Sequence, residues 1–245
     1  MTSAERLAEL AANLAAVRTR IAGACDTVGR DPSEVQLIAV TKTFPVPDIM
    51  ALASLGVIDV GENKDQEAAP KVAACAAAGL DLRWHFVGQL QVNKVASVAS
   101  YAYMVHSVDR ARLVAALGRR ASKAGRLIRC LVQVNLDPEV GQADGATAAG
   151  RGGAAPGDVL DLAGQIAACD GLELGGIMAV APLGQPARPA YARLREIAGK
   201  VQSVYPDAGA ISAGMTGDLE DAIAEGATHV RIGTALLGGR RPFVR

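Results

Sequence analysis

Lys42 stands just after a short apolar run, residues 37–40, and Pro45 follows three residues later. Such a run is typical of a strand buried on both faces, and proline cannot continue a ladder of backbone hydrogen bonds. In α/β folds the chemistry lies at the carboxyl ends of the strands. An amine placed there, partly out of water, loses proton affinity and becomes a nucleophile toward carbonyl groups. The alternative interpretation is a surface lysine just past a strand end.

Small residues and hydroxyls follow two further apolar runs near the end of the chain. Ser212 and Gly214 follow one run, and Gly233 and Thr234 follow the next. Glycine lets the backbone come close to a ligand, and free N–H groups at a helix start bind anions. In an α/β barrel the loops after the seventh and eighth strands are the usual phosphate site. These residues therefore predict a phosphate cup, with ordinary helix capping and glycine turns as the alternative.

A phosphate anchor beside a reactive lysine suits two kinds of ligand. One is a phosphorylated sugar held as in an aldolase, and the other is pyridoxal phosphate (PLP), whose aldehyde forms an imine with lysine. Arg231 lies three residues before Thr234 and favours PLP, because a guanidinium stays charged and would keep a pyridine nitrogen unprotonated. The alternative role for Arg231 is an ion pair inside the barrel.

Four more polar residues stand on or after the predicted strands. His85 and His106 each lie in an apolar run, where a histidine is more often a hydrogen-bonded core residue than a catalyst. Glu62 suits either a base or a neighbour of a helix cap, so these three roles stay open. Asn63 is better placed to contact a bound ring.

Short apolar runs alternate with amphipathic helical patterns along the chain. The predicted strands are 35–41, 57–60, 84–88, 102–106, 127–135, 172–179, 208–212 and 228–232. The helices between them lie near 46–55, 64–79, 91–99, 109–124, 158–169, 188–204 and 217–225. Eight such units in 245 residues predict an α/β fold of the (β/α)8 barrel type, with one domain over 1–245. A doubly wound open sheet is the alternative.

Two segments fall outside this alternation. A first helix is predicted from the spacing of Leu7, Leu10, Leu14, Val17 and Ile21, with Thr2 and Glu5 as its capping box. Residues 137–157 are mostly Gly and Ala and bury too little apolar surface to order well. We expect a flexible loop on the same face as Lys42, either a tolerated insertion or a lid.

Composition excludes several partners. Lys plus Arg equals Asp plus Glu, at 25 each, so no excess charge favours nucleic acid or another charged partner. No apolar stretch approaches the length of a membrane span, and the N-terminus lacks the apolar segment of a signal peptide. The four cysteines are far apart, which fits small buried side chains in a reducing compartment and not a metal site. We expect a cytoplasmic protein.

Six stretches, in order along nearly the whole chain, resemble the pyridoxal phosphate homeostasis proteins, which are similar to the N-terminal barrel of alanine racemase. They are residues 39–45, 61–67, 84–94, 175–184, 212–223 and 228–238. The resemblance implies a fold-type III PLP barrel in which Lys42 carries the imine. It further implies phosphate contacts from Ser212, Gly233 and Thr234. Arg231 would face the pyridine nitrogen, with Asn63 and Met178 flanking the ring.

Such a barrel could carry PLP or use it in catalysis. Racemisation needs two bases on opposite faces of the imine. The four tyrosines, Tyr101, Tyr103, Tyr191 and Tyr205, fall in strand or helix patterns away from the strand-end cluster. We therefore expect a monomeric carrier that limits free PLP and passes it to apo-enzymes. The alternatives are a small amino-acid racemase and, third, an imine-forming aldolase.

Overall fold

Eight apolar runs form parallel strands, and amphipathic helices cover them on the outside. The computed structural model describes residues 2–137 and 152–239. The strands are β1 (Gln36–Val40), β2 (Asp59–Glu62), β3 (Arg83–Phe86), β4 (Met104–Val108), β5 (Ile128–Gln133), β6 (Leu172–Met178), β7 (Ala210–Ser212) and β8 (His229–Ile232). The helices are α1 (Ser3–Thr27), α2 (Val46–Ser54), α3 (Asp65–Ala77), α4 (Val95–Tyr101), α5 (Ala111–Lys123), α6 (Val159–Ala167), α7 (Ala187–Val204), α8 (Leu219–Ala224) and α9 (Thr234–Leu237).

The sheet closes on itself. Each strand pairs in parallel with the next one in sequence, and β8 pairs with β1 through four registered residue pairs. The predicted (β/α)8 barrel is confirmed, and the alternative of an open sheet is wrong. All carboxyl ends of the strands therefore meet at one mouth of the barrel, where an α/β barrel keeps its ligands.

Helix α1 packs across the outside of the last units. Its capping box forms as predicted, since the Thr2 hydroxyl accepts from the Glu5 N–H and the Glu5 carboxylate accepts from the Thr2 N–H. Leu10 and Leu14 are buried in a cluster with residues of α8 and α9. Each such fully buried leucine stabilises the fold by roughly 1.5–3 kcal/mol over an exposed one. Leu7, in contrast, is largely exposed.

The barrel interior divides into an apolar and a polar part. Met104, Leu131, Met178 and Ala210 form a small apolar cluster on β4 to β7. The remaining inner positions include charged and imidazole side chains, described below. Larger apolar clusters lie between the strands and the outer helices.

The predicted loop at 137–157 is described only at its two ends, and residues 138–151 lie outside the described residues. Ala154 forms a parallel bridge with Val134, and its N–H donates to the Gln133 carbonyl. The chain therefore returns to the barrel beside β5. In the described ranges, no helix combines the length and apolar character that crossing a membrane requires.

Candidate functional site

Lys42 lies in a tight turn just past β1. The Phe44 N–H donates to the Thr41 carbonyl at 3.0 Å, and Thr43 between them has φ of +68°. Thr43 is the one non-glycine residue with positive φ in the described ranges. That conformation costs about 1–2 kcal/mol for a residue with a Cβ atom. The Thr43 N–H is held by the Glu67 carboxylate at 2.9 Å, so the turn that carries the half-buried Lys42 is fixed from outside.

The direction of the Lys42 side chain follows from the residue before it. The Thr41 hydroxyl donates to Glu62, whose carboxylate also binds Lys71 of helix α3, so Thr41 faces the outer layer. Successive side chains alternate between the two faces of a strand. Continued past the end of β1 at Val40, this alternation directs Lys42 toward the inner side; the reactive role of this lysine stays a prediction.

The loops after β7 and β8 lie beside each other. The Ala235 N–H donates to the Thr216 hydroxyl at 3.2 Å, and the Arg231 N–H donates to the Gly214 carbonyl at 2.9 Å. A Cβ atom on Gly233 would meet the Val40 carbonyl at 3.4 Å, which places this loop next to β1 and the Lys42 turn. The sequence-predicted residues of the two loops therefore share one mouth with the lysine.

Gly214 has a conformation that shapes the loop after β7. It has φ of +88°, and an added Cβ atom would lie 2.7 Å from that of Ala222. Its N–H donates to the Tyr191 hydroxyl at 3.3 Å. Gly233 and Thr234, by contrast, begin helix α9, where the first N–H groups have no acceptor within the helix.

Arg231 is a buried cation with neutral hydrogen-bond partners. Its guanidinium donates to the Ser212 hydroxyl at 2.6 Å and to the Ala179 carbonyl at 2.9 Å. Burial lowers the pKa of Arg231, but a guanidinium stays protonated in proteins. Within residues 2–137 and 152–239 no carboxylate lies within ion-pair distance of it. The ion pair considered as an alternative for Arg231 is absent from that part of the chain. Met178, paired in register with Ser212, lies next to it.

The two strand histidines are joined to this corner. His85 Nε2 lies 2.8 Å from Asp59 Oδ1, and His85 Nδ1 lies 2.9 Å from His106 Nε2. His106 Nδ1 then lies 2.9 Å from Ser212 Oγ. Burial lowers the pKa of both histidines, most strongly that of His106. They are hydrogen-bonded core residues, as histidines in apolar strands usually are, but they form one connected network.

Sequence reasoning missed Asp59, although a carboxylate inside an apolar strand is itself a signal of a buried partner. Asp59 begins β2, and its second oxygen binds Arg83 at 2.7 Å and also Gln36. A cavity of about 680 Å³ opens beside it, lined by residues at the amino ends of the strands, including Gln36, Asp59 and His229. This cavity is at the mouth opposite Lys42.

Glu62 and Asn63 are neighbours in sequence but lie in different surroundings. Glu62 is buried among Thr41 and Lys71 on the outer side of β2, and burial raises its pKa. It therefore does not face the inner mouth. Asn63 is half-buried at the end of β2. Its backbone touches Gly88, where a Cβ atom would come within 2.1 Å of the Asn63 carbonyl oxygen.

The expectation that every tyrosine lies away from the strand-end cluster is wrong for Tyr191. This side chain comes from helix α7, and its hydroxyl binds both Gly214 and Asp218. Helical spacing could not show which loop the ring would reach. Burial raises the pKa of Tyr191, so the hydroxyl stays protonated and holds the loop instead of taking up a proton.

Comparison with known proteins identifies the family of this closed parallel barrel. The family model of the alanine racemase N-terminal domain matches residues 6–241. The pyridoxal phosphate homeostasis protein of Mycobacterium tuberculosis is 41% identical over 254 residues, covering 97% of this chain and 95% of that protein. The chain belongs to the family of pyridoxal phosphate homeostasis proteins.

Solved structures agree with this assignment. PipY of Synechococcus elongatus, solved with PLP bound, has a TM-score of 0.79 and 32% identity, covering 94% of this chain and 100% of its own. A protein of unknown function from Bifidobacterium adolescentis has a TM-score of 0.84 and 31% identity, covering 95% of this chain and 96% of its own. The alanine-racemase-like barrel predicted from the sequence is confirmed.

Proposed function

We propose that this protein binds PLP at the carboxyl mouth of its barrel and contributes to intracellular PLP homeostasis. The observation that carries the proposal is that Lys42, on a turn held by Glu67, follows β1, while the buried cation Arg231 lies on the neighbouring strand β8 of the same closed barrel. Family membership and a PLP-bound relative of the same fold support it.

The hydrogen-bond donors at this mouth fit a pyridine ring that carries a negatively charged phosphate. A buried charge without a directly bonded opposite charge costs several kcal/mol, so Arg231 favours a ligand of negative net charge that presents a hydrogen-bond acceptor to it. Hydroxyl and backbone N–H groups after β7 and β8 are the donors that a phosphate uses. No carboxylate of the described residues lies beside Arg231, so none is placed there to keep a ring nitrogen protonated.

Each predicted residue then has one task. Lys42 would hold the aldehyde carbon of PLP as a Schiff base, which masks its reactivity toward other amines. Gly233 and Thr234 would bind the phosphate, while Ser212 and Gly214 shape the wall behind it. Arg231 would face the pyridine nitrogen. Asn63 and Met178, at the ends of β2 and β6, would border the ring.

A carrier fits better than a racemase. Lys42 can act as one base, but the buried Tyr191 hydroxyl donates to Asp218 and its raised pKa keeps it protonated. Racemisation needs a second base across the ring. The carrier is proposed to act as a monomeric single domain in the cytoplasm, where it passes PLP to apo-enzymes.

The covalent link is tested by adding PLP to purified protein, reducing with borohydride and locating the adduct by peptide mass spectrometry. We expect the adduct on Lys42. We expect Lys42→Ala to fold and to bind PLP at least tenfold more weakly, a loss of about 1.4 kcal/mol. The exposed Lys123→Ala on helix α5 is the control and should match the wild type. Equal affinity in Lys42→Ala would refute the covalent role.

The racemase alternative has its own measurement. Incubating the PLP-loaded protein with L-alanine in deuterium oxide reports exchange at the α-carbon. A carrier should show no stereo-inverting exchange above that of free PLP. Rapid exchange with inversion would make the protein a racemase and would contradict the carrier assignment while leaving PLP binding intact.

A further inference from the structure

A continuous line of side chains crosses the barrel interior from one mouth toward the other. It begins at Asp59 at the amino end of β2 and passes through His85 on β3 and His106 on β4. It ends at Ser212 on β7 and Arg231 on β8. All five residues are buried, with relative exposures of 5% or less. Five strands thus contribute one residue each.

The two ends of this line fix the direction of every hydrogen bond in it. A guanidinium only donates, so the Ser212 oxygen accepts from Arg231 and its hydroxyl hydrogen is free to go to His106 Nδ1. An ionised carboxylate only accepts, so His85 must donate from Nε2 to Asp59. A neutral ring has one donor and one acceptor nitrogen. His106 therefore donates from Nε2 to His85 Nδ1, and both rings carry their hydrogen on Nε2.

The ionisation states that this direction needs agree with the surroundings. Burial alone would raise the pKa of Asp59, but the hydrogen bond from His85 and the charge of Arg83 outweigh it and leave the pKa below its usual value. The other groups around His85 are the ring of Tyr103, with centroids 5.6 Å apart, and Arg83. His106 faces Arg231 and the ring of His229, 6.4 Å away. Burial lowers the pKa of both rings; at His85 the Asp59 carboxylate opposes this and Arg83 adds to it, while at His106 the charges of His85 and Arg231 add to it.

This polar line occupies space that bulky branched side chains fill in most α/β barrels. Fully satisfied buried networks rigidify a core, whereas a break in one leaves unpaired polar groups in low dielectric. The line also accounts for the position of Arg231, which has no carboxylate partner at its own end in the described ranges. Its geometry is set by Ser212, and Ser212 is in turn set by the two histidines.

We propose that Asp59, His85, His106 and Ser212 are positioning residues that form a one-directional hydrogen-bond chain and orient the guanidinium of Arg231 toward the ligand. The proposal rests on the proposed function for the identity of that ligand as PLP. It also refines the role of Ser212. A phosphate is an acceptor, and the Ser212 hydroxyl hydrogen is already committed to His106. The phosphate donors would then be backbone N–H groups and other hydroxyls of the two loops, Thr234 among them.

The hydrogen positions can be read directly in the ligand-free protein. The chain contains three histidines, so a long-range nitrogen–proton NMR spectrum of uniformly labelled protein shows three ring systems, and His229→Gln removes one to assign it. At neutral pH we expect His85 and His106 to be neutral with the hydrogen on Nε2, each proton slow to exchange with water. A cationic ring, or a hydrogen on Nδ1 of either residue, would overturn the proposal.

Asp59→Asn tests whether the chain acts as a unit. The amide keeps the size of the carboxylate but can donate to His85 Nε2, which allows the direction to reverse. We expect the ring signals of both His85 and His106 to lose their single tautomer, although His106 does not touch residue 59. The exposed Asp81→Asn removes the same charge elsewhere and should leave both rings unchanged. A change confined to His85 would reduce Asp59 to a local structural role.

The link to the ligand has a separate readout. In PLP-loaded Asp59→Asn, we expect the pH midpoint of the PLP absorbance to move by at least half a unit from wild type, with Asp81→Asn unmoved. If neither protein binds PLP, the proposed function fails while the NMR result still decides the hydrogen-bond chain. If PLP binds and its midpoint is the same in both variants, the chain does not act on the ligand and the proposal is wrong.

Discussion

At the scale of single residues, the ion pair of Lys71 and Glu62 supports the strand end that carries Lys42. Lys71 Nζ lies 2.6 Å from Glu62 Oε1 and donates to the Thr41 carbonyl at 2.8 Å. The same carboxylate oxygen accepts from the Thr41 hydroxyl at 2.6 Å. Both charged residues are buried. The pair therefore fixes the backbone one residue before Lys42.

Replacing Lys71 alone should lower the free energy of unfolding strongly. Lys71→Met leaves the Glu62 carboxylate buried without its cation, and breaking such a pair costs about 3–5 kcal/mol. The double variant Lys71→Met with Glu62→Gln should recover most of that loss, because the stranded charge is gone. Urea denaturation measures all three proteins.

A surface pair provides the comparison. Arg20 and Glu220 lie 2.8 Å apart but are substantially exposed, and exposed pairs contribute about 0–1 kcal/mol. Glu220→Gln removes the charge of this pair and leaves the hydrogen bond from Arg20 to the Thr216 carbonyl in place, so it should lower the free energy of unfolding by no more than that. If Lys71→Met were equally mild, the account of the buried pair would be wrong.

Residue types at strand ends could be predicted from the sequence, but their connections could not. The strand-end position of Lys42 was predicted from Pro45, which cannot continue a strand. Ser212 and Gly233 were predicted from small residues before a helix. Each of these signals involves only residues that are close in sequence. The line from His85 to Arg231 depends on which side chains of several strands point inward. That information exists only once the strands have closed into a barrel.

At the scale of elements, helix α7 is tied to the loop after β7 through one hydroxyl. Tyr191 is almost fully buried, donates to Asp218 at 2.8 Å and accepts from the Gly214 N–H at 3.3 Å. The Asp218 carboxylate also accepts from the Met215 N–H. A helix on the outer layer thereby sets the shape of a loop at the carboxyl mouth of the barrel.

Tyr191→Phe should loosen this loop without disturbing the barrel. The change leaves a buried N–H at Gly214 without an acceptor, which costs about 1–3 kcal/mol. We expect a matching fall in the free energy of unfolding and weaker PLP binding, measured by denaturation and by absorbance titration. Tyr205→Phe, at the residue that caps the C-terminus of α7, is the control, because its hydroxyl makes no hydrogen bond within the described residues. Equal effects of the two changes would contradict the role of Tyr191.

Element boundaries followed from apolar runs with small, explicable errors. The second strand was predicted at 57–60 but begins at Asp59, because the Val57 N–H bonds the Leu52 carbonyl and closes the end of helix α2. An apolar residue that ends a helix looks the same in sequence as one that begins a strand. Helix α9 was not predicted, since four residues are too few to show a period.

At the scale of the whole molecule, the barrel interior holds every histidine of the chain. All three histidines are at least nine-tenths buried. Burial lowers the pKa of each, and that of His229 falls to about 4. His229 also has a hydrogen bond between its Nδ1 atom and the Thr228 hydroxyl at 2.7 Å. The folded state therefore keeps the three rings neutral at pH values where an unfolded chain would protonate them.

This difference makes the fold sensitive to mild acid. Unfolded histidine titrates near pH 6.5, so the stabilisation from neutral rings is complete above that pH and is lost as the pH falls toward the lower folded pKa values. Each ring contributes a slope of about 1.4 kcal/mol per pH unit, or about 4 kcal/mol for three. Glu62, whose pKa burial raises, opposes this by at most one proton. We expect the unfolding free energy from urea denaturation to fall as the pH drops below 6, by up to about 4 kcal/mol per unit. His229→Gln should reduce that slope by about one third, and a free energy constant between pH 7 and 5 would show that the rings are not held neutral.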